Sequence, residues 1–230
     1  MNIFKPHYSI LPQEQTELLP ELEACTKLGF TLYGGTAIAL QLGHRRSVDF
    51  DFFSEIEIDD NLEKKLLAQI SSLVGAKILQ SEPNTRTYLT ASGVKISFFG
   101  GIDFGRVGEP RMTEDCILQV ASLDDLMGTK LSVILKRVEA KDYKDIAAMI
   151  RNGCDLGEGL AAATVLYGDQ FPAAESLKAL TYFKGGDLDE LTEEDKNLLV
   201  NAVKKFEFKK IPVMFKRSDS LSGVEKGFSR

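Results

Sequence analysis

Two hydrophobic periods alternate along the chain, and the changes between them mark its elements. Residues 12–28 set Leu18, Leu19, Leu22 and Leu28 among Glu and Lys at helical spacing. The apolar run Phe30-Thr31-Leu32-Tyr33 then reads as a strand, and Gly34-Gly35 interrupts it. Residues 36–42 are good helix formers behind Thr36, whose hydroxyl is suited to capping. From Ser47 to Phe53 the period falls to two: Asp49 and Asp51 alternate with Val48, Phe50 and Phe52. The two acids are therefore expected to share one face and the three apolar residues to enter the core.

A helix is predicted near 60–74, followed by strands at 76–80, 86–91 and 94–99, the last two joined by a turn at Ala91-Ser92-Gly93. The Gly-rich segment 100–108 is read as a loop, because no Gly-Lys-Ser/Thr follows to make a P-loop. One more strand is expected at 116–120, and Ser122-Leu123-Asp124-Asp125 reads as a capped helix start. Helices are then predicted over 123–138, 141–151, 159–167, 173–183 and 193–206. Strands first and helices last imply an α+β chain with a mixed sheet in its N-terminal half and a helical C-terminal half. The expected division is a sheet domain over 1–121, a helical domain over 122–208 and a basic tail over 209–230.

The composition narrows the setting. A chain of 230 residues, 43% hydrophobic and 27% charged, suits a globular protein with a sizeable core. It has no apolar run of membrane-spanning length, and Met1–Pro6 lacks the layout of a signal peptide, so a cytoplasmic protein without membrane partners is expected. Cys25, Cys116 and Cys154 are too scattered for a disulfide framework or a zinc knuckle, and two histidines are too few for a His cluster. Any metal would be held by oxygens. The net charge of −6 argues against bulk coating of nucleic acid, yet residues 204–230 carry eight Lys or Arg against three acids. Such a tail could reach a nucleic acid or an acidic partner, or could be a solvated terminus.

Candidate chemistry gathers around the acid pair. Carboxylates two apart on a strand repel unless a cation lies between them, and Mg²⁺ favours one or two carboxylates together with substrate phosphates. That donor set suits phosphoryl or nucleotidyl transfer. Gly34-Gly35 allows close backbone approach, and a helix opening at Thr36 would aim unpaired amides at an anion. A solvent-facing Asp-x-Asp with no chemistry is the competing reading of the acids alone.

The segments Tyr33-Gly34-Gly35-Thr36-Ala37-Ile38-Ala39-Leu40 and His44-Arg45-Arg46-Ser47-Val48-Asp49-Phe50-Asp51-Phe52-Phe53 resemble the AbiEii-type abortive-infection toxins of the polymerase-β-like nucleotidyltransferase superfamily. The resemblance continues through Lys130 and Lys141-Asp142-Tyr143-Lys144-Asp145-Ile146, and more weakly through Ala179–Phe183. It implies an Mg²⁺- or Mn²⁺-dependent enzyme that moves a nucleotidyl group from a nucleoside triphosphate to an acceptor hydroxyl. The implied acceptor is an RNA end such as that of tRNA, or a protein, and the implied setting is a toxin–antitoxin or phage-defence pair with an antitoxin partner. Asp49 and Asp51 would hold the metal. Asp49, Asp51, Lys130, Asp142 and Asp145 would be catalytic, and Gly34, Gly35, Thr36, Arg46, Ser47, Lys130 and Arg137 would contact the nucleotide.

The helical segments support part of this independently. At about 100° per residue from Leu126, the apolar side chains of the predicted 123–138 helix fill an arc from about −20° to 180°, with Lys130 near 40° and Arg137 near 20°. Charges on an apolar stripe need anionic partners, either a phosphate or nearby acids, unless they snorkel to the edge. On the next helix Asp142 lies on the apolar face and Asp145 at its margin, so each is a candidate either for the site or for pinning Lys130 or Arg137.

One position departs from the family pattern. Where a third carboxylate is common in a Val-Lys-Ile-Asp-like strand, this chain has Val94-Lys95-Ile96-Ser97. Ser97 cannot replace a carboxylate, and Asp103 could serve only if its loop folds back. The enzyme then works with two carboxylates and a helper such as Asp142, or the chain is a weak or inactive nucleotide-binding module acting through a partner. A small-molecule nucleotidyltransferase of the antibiotic-modifying kind is a third reading.

Overall fold

The computed structural model describes residues 2–207 and 211–223. Its contacts divide the chain into two units, one of Met1–Gly105, Glu109–Ser122 and Ser218–Arg230, the other of Arg106–Gly108 and Leu123–Arg217.

The first unit holds β1 (Asn2–Phe4), α1 (Gln13–Lys27), β2 (Thr31–Tyr33), α2 (Gly34–Leu42), β3 (Asp49–Phe53), α3 (Asp60–Gln69), β4 (Lys77–Glu82), β5 (Thr85–Leu89), β6 (Lys95–Phe99), β7 (Arg111–Thr113) and β8 (Gln119–Val120). The strands form one eight-stranded mixed sheet in the order β1-β7-β8-β2-β3-β6-β5-β4. At its centre β3 runs antiparallel to β2 and parallel to β6. Phe50, Phe52, Ile96 and Phe98 are fully buried on one face of this centre, and the Phe52 and Phe98 rings stack at 5.7 Å. α1 buries Leu18, Leu19, Leu22 and Cys25, four side chains that the helical spacing brings to one stripe.

The α+β arrangement expected from the periodicity is present, with local differences. β1 and β7, three residues each, are too short to show a period and form by pairing in parallel with each other. The strand expected at 116–120 shrinks to Gln119–Val120, because Cys116 has φ +61° in the turn after β7, which Asp115 closes by accepting from Thr113 Oγ1 (2.6 Å) and the Ile117 amide (3.2 Å). Val48, expected in the core, is 58% exposed because it precedes the strand whose alternation would have buried it.

The second unit contains α4 (Leu123–Val133), α5 (Ala140–Arg151), α6 (Leu156–Tyr167), α7 (Ala173–Ala179) and α8 (Glu193–Lys205). Glycine permits close packing of α4 on α6: a Cβ on Gly128 would lie 2.9 Å from the Ala163 nitrogen, and one on Gly159 would lie 2.3 Å from Met127 Cγ. α4 stops five residues short of the predicted end. Past Val133 the amides of Leu135 and Lys136 bond to carbonyls three residues back, and the Leu131 carbonyl accepts from the Ser176 hydroxyl (2.8 Å). The last turn therefore tightens and ends, as helix termini commonly do. Asp125 is buried and accepts from the amides of Val107 (2.7 Å) and Gly108 (3.2 Å).

Within the segment read from sequence as a basic tail, residues 208–210 and 224–230 lie outside the described residues, among them Lys209, Lys210, Lys226 and Arg230. The described residues Ser218–Gly223 belong with the sheet unit, where Ser220 Oγ donates to Glu55 (2.7 Å) and the Leu221 carbonyl accepts from Thr31 Oγ1 (3.2 Å). No helix among the described residues is long and apolar enough to cross a membrane.

Candidate functional site

In the sheet unit, strand alternation puts Asp49, Asp51 and Phe53 on the face opposite the Phe50/Phe52 core, and both acids stay half-buried. The parallel register pairs Asp49 with Lys95, Asp51 with Ser97 and Phe53 with Phe99. Lys95 Nζ lies 3.0 Å from Asp49 Oδ2, with 38% and 31% of the two side chains exposed. Ser97 is only 4% exposed and occupies the neighbouring-strand position beside Asp51.

The Gly-Gly segment plays a more specific part than a flexible lead-in. The helix begins at Gly34 itself, not at Thr36, and Tyr33 occupies the cap position without a side-chain cap bond. Gly34 has φ +71°, and a Cβ there would stand 2.7 Å from Asp51 Oδ2. Only glycine meets both demands. Asp51 thereby lies against the first residue of α2.

Thr36 and Ser47 are buried and tie α2 to the start of β3. The Thr36 hydroxyl donates to the Asp49 carbonyl and shares a hydrogen bond with the Ser47 hydroxyl (2.7 Å). That latch sets the height of β3 against α2, hence the placement of the acid pair. Thr36 is thus not the helix cap that its position suggested. Gly35 is half-buried, and Arg46 is exposed with its carbonyl accepting from Arg45 Nη1 (2.9 Å).

An aromatic wall adjoins the acids. Tyr33 stacks on Phe53 (4.8 Å between centroids, 12° between planes), and Phe53 meets Phe99 edge-on (5.0 Å) and Phe104 at a tilt (6.3 Å). Neither this wall nor the Lys95 contact was found by sequence reasoning. The signal present was that Lys95, Ser97 and Phe99 alternate like Asp49, Asp51 and Phe53, but only the strand register says which residue faces which.

The helical unit collects the other predicted residues into a cluster of its own. Lys130 is 4% exposed, and its Nζ lies between Asp142 Oδ1 (2.6 Å) and Asp145 Oδ2 (2.7 Å), both carboxylates being fully buried. Arg137 lies beyond the end of α4, so its place on the predicted helical face does not hold, yet it reaches the same acid: Nε to Asp142 Oδ2 is 2.8 Å and Nη2 to Asp142 Oδ1 is 3.1 Å. Burial alone would push the Asp142 carboxyl up, but the Arg137 hydrogen bond and the Lys130 charge outweigh it and hold the group below the ordinary carboxylate range.

Two same-face carboxylates, half-buried and beside a glycine-started helix on a mixed sheet, are the arrangement that the resemblance to nucleotidyltransferases implies. Sequence comparison agrees: the profile of the nucleotidyl transferase AbiEii toxins of type IV toxin–antitoxin systems matches residues 26–217. The chain belongs to the AbiEii nucleotidyl transferase toxin family. It is also similar to an uncharacterized protein of Aquifex aeolicus, 33% identical over 153 residues that make up 64% of this chain and 71% of that one.

The donor set at Asp49 and Asp51 fits one divalent cation: two hard, half-exposed oxygen donors side by side. Among the described residues, no group of three or more His, Cys, Asp or Glu is placed to hold a metal.

Proposed function

We propose that this chain is an Mg²⁺- or Mn²⁺-dependent nucleotidyltransferase that moves a nucleotidyl group from a nucleoside triphosphate to an acceptor hydroxyl. The observation that carries the reading is the same-face pair Asp49 and Asp51, with Asp51 set against the first residue of α2. When bound, the cation supplies charge neutralisation and polarisation at the triphosphate. Asp49 and Asp51 hold it, and the backbone at Gly34 and Gly35 offers the close approach a triphosphate requires. Thr36 and Ser47 act as positioning residues by fixing α2 against β3. Arg46, exposed just before the acids, supplies a positive charge for phosphate. In the helical unit Asp142 and Asp145 hold the Lys130 ammonium, and Arg137 steadies Asp142.

The acceptor proposed is an RNA end such as that of tRNA, with a protein side chain as the other candidate of the same hydroxyl chemistry. The setting proposed is a toxin held in check by an antitoxin. The test is to incubate the protein with Mg²⁺, each labelled nucleoside triphosphate and total RNA, in parallel with the Asp49→Ala/Asp51→Ala variant. Label transfer by wild type alone is the expected result, and no transfer with any nucleotide sinks the RNA-directed form.

Ser97 beside Asp51 favours a second reading, a nucleotide-binding module that transfers nothing and works through a partner. Mg²⁺-dependent thermal stabilisation by nucleotide that vanishes in Asp49→Ala, with no transfer to RNA or protein, selects that module.

A further inference from the structure

We propose that Lys95 serves as a built-in second cation of the acid pair, so that the site takes one divalent ion rather than two and Lys95 competes with that ion for Asp49. The proposal rests on the reading of Asp49 and Asp51 as the cation-binding pair. Its basis is the ladder between β3 and β6, which sets Asp49 opposite Lys95 and Asp51 opposite Ser97. All four side chains belong to the same face, because the alternation along each strand has a period of two.

A pair of divalent ions about 3.5–4 Å apart needs bridging carboxylates and further oxygen donors for the outer ion. The neighbouring-strand position beside Asp51 is where such a donor would come from, and it holds a neutral hydroxyl that is 4% exposed. The position beside Asp49 holds a positive charge, with Nζ 3.0 Å from Oδ2. Among the described residues no third acid, His or Cys completes a metal-holding group. Two carboxylates, one ammonium and one divalent ion leave a single net positive charge to meet a triphosphate. A second divalent ion would raise that to three with no additional anionic ligand, and Lys95 would repel it.

The contact is also accessible. Lys95 and Asp49 are 38% and 31% exposed, so a metal ion in solution can reach the shared carboxylate, and the lysine can swing from it. Lys95 therefore acts as a positioning charge that keeps Asp49 aligned when the ion is away and sets how tightly the ion binds.

The experiment is to titrate the full chain with Mn²⁺, following free ion by electron paramagnetic resonance, alone and with non-hydrolysable triphosphate analogues of the four nucleosides. The wild-type chain is expected to bind one Mn²⁺. Lys95→Met is expected to tighten Mn²⁺ binding without nucleotide by on the order of tenfold, the effect of removing one screened unit charge beside a divalent ion. Lys95→Arg, which keeps the charge, is expected to bind like wild type, whereas a purely packing role would not separate Met from Arg. Two Mn²⁺ per wild-type chain, or unchanged or weaker binding in Lys95→Met, overturns the role of Lys95 and leaves the acid pair as a cation site. Absence of Mn²⁺ binding, or binding unaffected by Asp49→Ala/Asp51→Ala, overturns the cation-site reading and the Lys95 inference with it.

Discussion

Replacing Lys130 by Met removes a charge from the helical unit while nearly preserving its volume, so packing loss stays small and the electrostatic term can be read directly. In the wild-type protein Lys130 is 4% exposed and its ammonium stands 2.6 and 2.7 Å from two fully buried carboxylates. Without it, Asp142 and Asp145 remain enclosed with the Arg137 guanidinium, which is 46% exposed and bonds Asp142. Breaking a buried ion pair by removing one partner costs about 3–5 kcal/mol. At roughly 2–4 °C per kcal/mol for a chain of this size, the melting temperature should fall on the order of 10 °C at pH 7.

The pH dependence gives the sharper test. In wild type the depressed Asp142 carboxyl contributes stability that is present above its unfolded value and lost as pH falls through the folded one. In Lys130→Met the two crowded carboxylates favour uptake of a proton, so the folded pKa of one rises above its unfolded value of about 4. Stability tied to a raised pKa is full below the unfolded value and is lost as pH rises through the folded one. The deficit of Lys130→Met against wild type should therefore shrink between pH 7 and pH 5, as read by scanning calorimetry. Arg137→Met, at a half-exposed position, should cost only about 1 kcal/mol. A melting temperature within about 2 °C of wild type at pH 7, or a deficit that widens on acidification, refutes the reasoning.

Gly34→Ala forces a side chain into φ +71° with its Cβ 2.7 Å from Asp51 Oδ2. A loss of about 1–2 kcal/mol in a denaturant melt is expected, together with weakened Mn²⁺ binding as Asp51 is displaced; retained metal affinity would dissociate Gly34 from the acid pair. Ser97→Asp sets a third carboxylate opposite Asp51 in a position 4% exposed. It should destabilise the metal-free protein by about 1–3 kcal/mol, with Mg²⁺ restoring the loss more fully than it stabilises wild type, as measured by thermal melts with and without Mg²⁺.

The chain's own pattern determined the type of most elements, because the period of apolar residues is a local property: the helix of Gln13–Lys27, the acid-bearing strand and the helices of the second half all follow from it. It also placed Asp49 and Asp51 on one face, since strand alternation needs no knowledge of neighbours. Very short elements such as β1 and β7 escaped, having too few residues to show a period and existing only through their pairing. The helix expected to run to 138 ended at Val133 because a serine 45 residues away bonds its last turn, a contact no local pattern records. The partners of the charged residues were likewise a tertiary decision. Periodicity put Lys130 and Asp142 on apolar faces and so required partners for them, but the fold chose one another and Asp145. Lys95 reached Asp49 through strand register, and the same register put Ser97 beside Asp51. A one-residue slip would exchange the faces of a strand while leaving its sequence untouched, which is why the acids could be read from the chain and their neighbours could not.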